Sequence, residues 1–252
     1  MTITSAEHDL WIRRFHPAPD AKVRLLCLPH AGGSASFYFP VSAALSPGIE
    51  VLAVQYPGRQ DRRSEPSIGT VAELADQVYR ALGPLDDKPL ALFGHSMGAV
   101  LGFELARRME ADGRRAAVLF ASGRRGPATH RAESVHKRDD DGLVSELKSL
   151  SGTNTALLGD EEILRMILPA IRNDYRAVET YERPAGGPLT SQIVVLIGDD
   201  DPKSTVEEAK AWAEETTGGF SLRVFPGGHF YLATQQKAVL GEISDRLGAL
   251  AG

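Results

Sequence analysis

Short runs of apolar residues recur along the chain, spaced so that a helix fits between most neighbours. Six stand out, at residues 23–28, 50–55, 90–93, 116–121, 192–197 and 221–225. Most are apolar nearly throughout rather than alternating, which suits strands covered on both faces and hence a parallel sheet. Between them lie helical patterns at 36–45, 70–82, 98–109, 206–215 and 232–247. Thr70 with Glu73 reads as a capping box, and Ser204 or Thr205 as the cap of the helix that starts at 206. Strands alternating with helices predict an α/β fold with right-handed crossovers. Residues 9–15 suggest an additional N-terminal edge strand.

One stretch breaks the rhythm. About seventy residues, 123–191, separate the fourth run from the fifth, more than a single crossover helix needs. Leu143, Leu147 and Leu150 recur at helical spacing over 142–150. Over 160–181, Ile163, Leu164, Ile167, Leu168 and Ile171 form a second stripe, with Pro169 as an expected kink. An inserted helical pair at the C-terminal ends of the strands would lie over an active site as a lid, the bland alternative being helical decoration. With no repeat, no low-complexity tract and no sign of a second domain, residues 1–252 read as one domain carrying that insert.

Composition narrows the function classes. A chain of 252 residues, 42% hydrophobic, can bury one large core. Its net charge of −5 gives no electrostatic case for nucleic acid or an anionic membrane. No apolar run approaches a membrane span, and residues 1–10 lack the basic and apolar regions of a secretory signal. A cytoplasmic location is therefore expected. Cys27, the single cysteine, sits in the first apolar run and reads as a small buried hydrophobe.

The chemistry centres on Gly94-His95-Ser96-Met97-Gly98, placed where the third run meets a helix. A Gly-x-Ser-x-Gly in that context holds the serine on a sharp turn above the sheet, and side chains at the glycines would clash. Serine needs a base that a third group orients, and in this arrangement they follow in the order Ser, Asp or Glu, His. Only His130, His136 and His229 come after Ser96. The first two lie among charges and read as solvated. His229 follows Gly227-Gly228 just beyond the last run, where the loop can aim an imidazole. The fifth run ends in Asp199-Asp200-Asp201-Pro202, and local chemistry leaves all three aspartates open as the acid. The Met97 N–H, and the Ala31 N–H in Pro29-His30-Ala31-Gly32-Gly33, are the candidate oxyanion donors. His30 and His95 are expected to be structural. Arg114, Arg115, Arg124, Arg125, Arg131, Lys137 and Arg138 read as a solvated basic face, or alternatively as a docking patch for an acidic partner. No His or Cys pair has zinc spacing, and no glycine pattern fits a phosphate loop.

Taken together these segments resemble the stand-alone type II thioesterases of polyketide and nonribosomal-peptide assembly lines. The likeness rests on residues 25–33, on Gln55-Tyr56-Pro57-Gly58-Arg59, and on the segment 93–98. It extends to residues 169–175 with Glu179 and Tyr181, to 198–202, and to Gly227-Gly228-His229-Phe230. The resemblance implies an α/β-hydrolase fold with a helical lid over 123–191. It selects Asp201, directly before the proline, as the acid beside Ser96 and His229. It further implies hydrolysis of acyl groups from the phosphopantetheine arm of an acyl or peptidyl carrier protein. No metal or organic cofactor is then expected, phosphopantetheine being part of the substrate, and a monomer is the default. The rival readings are an esterase or acyl-CoA thioesterase acting on free esters, a chain-releasing cyclase, and a non-catalytic carrier-docking protein.

Overall fold

The computed structural model describes residues 4–83, 85, 87–151 and 161–251. Every apolar run becomes a strand. They are β2 (Arg24–Leu28), β3 (Glu50–Val54), β4 (Leu90–His95), β5 (Val118–Ser122), β6 (Gln192–Gly198) and β7 (Phe220–Phe225). With the short β1 (Ile12–Arg13) they form one sheet in the order β1-β3-β2-β4-β5-β6-β7. Only β1 runs antiparallel, on β3; all other neighbours are parallel. Strands β2 to β5 are buried along their whole length, as continuous apolar runs require. β7, by contrast, is a half-exposed edge.

Alternate side chains feed two cores, because successive residues of a strand face opposite ways. Leu26, Leu28, Leu52 and Leu92 pack on one face with α3 (Val71–Leu82) and α4 (Met97–Ala111). Leu25, Cys27, Val51 and Phe93 fill the other with α2 (Phe39–Leu45) and α9 (Gln236–Ala251). Burying each such leucine contributes roughly 2 kcal/mol.

Several expectations need correction at element ends. Residues 9–15 are mostly not a strand: α1 (Ser5–Trp11) occupies the first part, started by a capping box between Thr4 and Glu7. Only Ile12 and Arg13 then pair with β3. The helix expected over 36–45 is a 3-10 turn, Ala35–Tyr38, followed by α2, whose start carries Pro40. After β6, α7 (Val206–Lys210) tightens into a 3-10 turn, Ala211–Glu215, and its cap is Thr205 with Glu208. The last helical pattern is divided between α8 (Tyr231–Thr234) and α9.

Between β5 and β6 lie α5 (Asp140–Ser151) and α6 (Glu161–Glu179). Of the predicted second stripe, Asp160 and the side chain of Ile163 lie outside the described residues. Pro169 sits inside α6, which continues through it. Val135, Leu143, Leu168, Ile171 and Tyr175 form a small core of their own, separate from the sheet's two, and it packs against Ala31.

Two glycines let the centre of the sheet close up. A Cβ on Gly94 would lie 1.9 Å from the Gly98 carbonyl oxygen, and one on Gly98 would lie 2.1 Å from that of Leu28. Both obstacles are backbone, so neither can step aside. Gly98→Ala is expected to cost about 2 kcal/mol or more by overpacking. Gly241→Ala, in α9 with open space around it, is expected to be neutral or stabilising by about 0.5–1 kcal/mol. Chemical denaturation of the two variants checks the contrast.

Candidate active site

Ser96 stands between β4 and α4 with φ 55° and ψ −114°, a left-handed backbone that non-glycine residues seldom adopt. Its N–H is held by the Ser122 carbonyl at 2.8 Å. Met97 is the first residue of α4, so its N–H is among those with no intrahelical acceptor. The Gly98 contact brings the end of β2 against this helix start, and the loop that follows β2 carries Ala31. Among the described residues the Ala31 N–H has no acceptor. Ser96, Ala31 and His229 line one cavity of about 160 Å³, roofed by Leu147 and Leu150 of α5 and by Ile167, Ile171 and Tyr175 of α6.

His229 is buried, and its Nδ1–H donates to Asp201, with Oδ1 at 3.0 Å and Oδ2 at 2.9 Å. That bond leaves Nε2 as the basic nitrogen. Asp201 also accepts the Lys203 N–H at 2.8 Å, which fixes its carboxylate. The other two aspartates point elsewhere. Asp199 accepts the Gly227 N–H at 2.8 Å and so braces the loop that carries His229, while Asp200 is exposed. A side chain at Gly198 would meet the Gly227 and Gly228 carbonyls at 2.2 and 2.5 Å, so β6 and the histidine loop lie in direct contact.

Two further imidazoles surround the site, with no carboxylate bonded to either among the described residues. His95 is fully buried; its Nδ1 bonds Ser122 Oγ at 2.9 Å, and that hydroxyl meets Tyr231 Oη at 2.6 Å. Burial, with His229 and His30 nearby, holds His95 well below the usual histidine range. His30 packs edge-on against Phe37 and Phe230, at 4.7 and 4.9 Å between ring centroids, and lines the cavity. Burial chiefly, with His229 and Arg59, pushes it down to about 3. Both are therefore neutral rings near neutral pH.

Only part of the basic segment departs from the solvated face expected of it: Arg115, Lys137 and Arg138 are exposed. Arg124 and Arg125 are buried. Arg125 pairs with Glu133 at 2.5 Å, and Arg131 with Glu208. The Arg124 guanidinium forms no ion pair or hydrogen bond among the described residues and lines the cavity. Desolvation pushes it down to about 10, still cationic at neutral pH. His136 is not solvated either: it bonds Glu179 at 2.5 Å, and Glu179 also accepts the N–H groups of Val135 and His136. Sequence reasoning attached no role to Asp174, whose buried carboxylate accepts the Gly32 N–H at 2.8 Å and pairs with Arg59. Its partners lie far away in the chain, so no local spacing signals it.

A thioesterase-domain family model matches residues 23–247. A probable cadicidin biosynthesis thioesterase of Streptomyces griseus is 58% identical over 94% of this chain, which spans 66% of that relative's length. Thioesterase PikA5 of Streptomyces venezuelae is 49% identical over 96% of the chain and 87% of its own. Among solved structures, the type II thioesterase BorB from the borrelidin biosynthetic cluster superposes with a TM-score of 0.90 at 53% identity, covering 95% of this chain and 98% of that one. The chain belongs to the thioesterase family, on an α/β-hydrolase fold.

Two predictions follow from the geometry. Asp201→Asn should lower kcat for thioester hydrolysis by about 10³–10⁴-fold, since it removes the charge that holds the imidazole tautomer. Asp199→Asn keeps an acceptor for Gly227, and Asp200→Asn alters only an exposed group, so both should stay within a few-fold; thiol release measures all three. The second concerns stability. His95 is depressed in the folded state, so the unfolded chain takes up its proton first as pH falls below the ordinary value of 6.5. The stability this site contributes is then lost towards acid, by up to about 1.4 kcal/mol per pH unit. Denaturant unfolding between about pH 7.5 and pH 5.5 should show a flatter dependence for His95→Gln than for the unaltered protein.

Proposed function

We propose that this protein hydrolyses acyl thioesters on the phosphopantetheine arm of the acyl or peptidyl carrier proteins of an assembly line, clearing aberrant or stalled acyl groups. The observation that carries the reading is one cavity lined by Ser96, His229 and Ala31, with Asp201 bonded to the far side of the imidazole. Membership of the thioesterase family, and relatives that serve polyketide and nonribosomal-peptide biosynthesis, support the choice of substrate.

In this reading Ser96 Oγ attacks the thioester carbonyl while His229 Nε2 takes its proton. The N–H groups of Ala31 and Met97 hold the oxyanion, each donor contributing roughly 3 kcal/mol to the transition state. The C–S bond then breaks and the sulfur leaves as a thiol, receiving the proton from His229. A free thiol has a pKa of about 8.5, so it departs readily near neutral pH. Water, deprotonated by the same nitrogen, attacks the acyl-serine and releases the carboxylic acid. The scheme uses protein groups alone and needs no metal or organic cofactor. The helices within 123–191 act as a lid over the acyl group. In the same reading the protein works as a cytoplasmic monomer.

A panel of rates tests this. One acyl group is presented on a carrier protein, as a small-molecule thioester and as an oxygen ester. The carrier-bound form should give the highest kcat/KM. An oxygen ester outpacing both thioesters would replace the reading by an esterase.

A further inference from the structure

The lid helix α6 touches the loop after β2 at two neighbouring points. At the first, a Cβ on Gly32 would lie 2.8 Å from Ile171 Cγ1, and the φ of 76° at Gly32 independently favours glycine. At the second, one turn further along α6, Asp174 accepts the Gly32 N–H at 2.8 Å. Asp174 is 3% exposed and pairs with Arg59, whose Nη1 also donates to the Pro57 carbonyl at 3.2 Å. Gln55 ties the same loops together, accepting the Ala35 N–H at 2.8 Å and donating to the Arg59 carbonyl at 3.2 Å.

These bonds act on the two peptide planes that meet at Ala31. The Ala31 N–H lies in the same rigid plane as the His30 carbonyl and points the opposite way. That carbonyl accepts the Gly33 N–H at 2.9 Å, which closes the turn. The Gly32 N–H belongs to the next plane, and Asp174 holds it. With both planes pinned, the direction of the Ala31 N–H is set before any substrate arrives. A donor aimed in advance contributes most to an oxyanion, because nothing has to reorganise as charge develops.

We propose that Asp174 is a positioning residue: seated by the lid helix, its carboxylate fixes the Ala31–Gly32 backbone so that the Ala31 N–H faces the oxyanion. The hole is complete only while α6 is docked, which couples lid closure to chemistry. This rests on the serine mechanism proposed above. It gives the buried Arg59–Asp174 pair a task beyond fastening the lid.

The test compares Asp174→Ala and Asp174→Asn on a small-molecule acyl thioester, together with an alkyl boronic acid that becomes tetrahedral on Ser96. Asp174→Ala should lower kcat about 10–100-fold with KM little changed, and weaken boronate binding by a similar factor. Asp174→Asn keeps an oxygen acceptor for the Gly32 N–H and should recover much of the loss. If loss of the carboxylate leaves the buried Arg59 unpaired and the Asn variant fails to fold, Asp174→Asn with Arg59→Gln removes both charges and keeps the acceptor. In the unaltered protein, boronate should slow hydrogen exchange at Gly32 and in α6 together. A purely structural role predicts lower thermal stability with kcat and boronate affinity intact, or α6 exchange that ignores the boronate; either result overturns the proposal. Absence of thioester turnover in the unaltered protein, with boronate binding still sensitive to Asp174, would instead overturn the substrate assignment alone.

Discussion

The structure turns on one backbone contact, the approach of the Ser96 turn to the end of β2. Glycine at 94 and 98 lets the start of α4 fold back on β4 and press against the Leu28 carbonyl. That approach holds Ser96 at a φ of 55°, lifted above the sheet. It also sets the start of α4 against the end of β2, and the loop that follows β2 carries Ala31 into the cavity that Ser96 lines. Backbone strain of this kind costs about 1–3 kcal/mol and persists only where its surroundings over-determine it. Here the surroundings are the Ser96–Ser122 bond and a sheet whose central strands are buried throughout.

Electrostatics then separate the imidazoles that crowd the cavity. His95 and His30 are kept neutral chiefly by burial, which disfavours a charged ring. His229 differs because Asp201 meets its Nδ1. Three rings lie close together, yet among the described residues only His229 meets a carboxylate that can orient it and stabilise a positive charge. The aspartate run after β6 divides its labour in the same way: one residue for the imidazole, one for the loop that carries it, one for water.

Much of this was legible in the sequence, and the gaps have physical causes. Strands were readable because a doubly covered parallel sheet leaves continuous apolar runs, and their order implied where Ser96 and His229 would stand. Asp201 was not separable from Asp199 and Asp200 by local chemistry, since what distinguishes them is the direction each side chain takes. Only the family resemblance chose among them. Arg124 and Arg125 looked like surface charge because Glu133, the partner of Arg125, and the tryptophan that holds the Arg124 carbonyl are settled by tertiary packing. Asp174 was hidden for the same reason, its partner amide lying in the loop after β2. The N-terminal helix is a different case: the Thr4–Glu7 cap that starts it lies ahead of the residues 9–15 that suggest a strand.

Covalent catalysis by Ser96 is read most plainly from the mass of the protein trapped during turnover. Rapid mixing with an acylated carrier protein, acid quenching and peptide mapping should find an acyl group on Ser96 that forms and then disappears at the rate of thiol and acid release. Ser96→Ala should neither form the adduct nor turn over. Hydrolysis that continues at full rate in Ser96→Ala, or an acyl group that collects on another residue, would contradict the account.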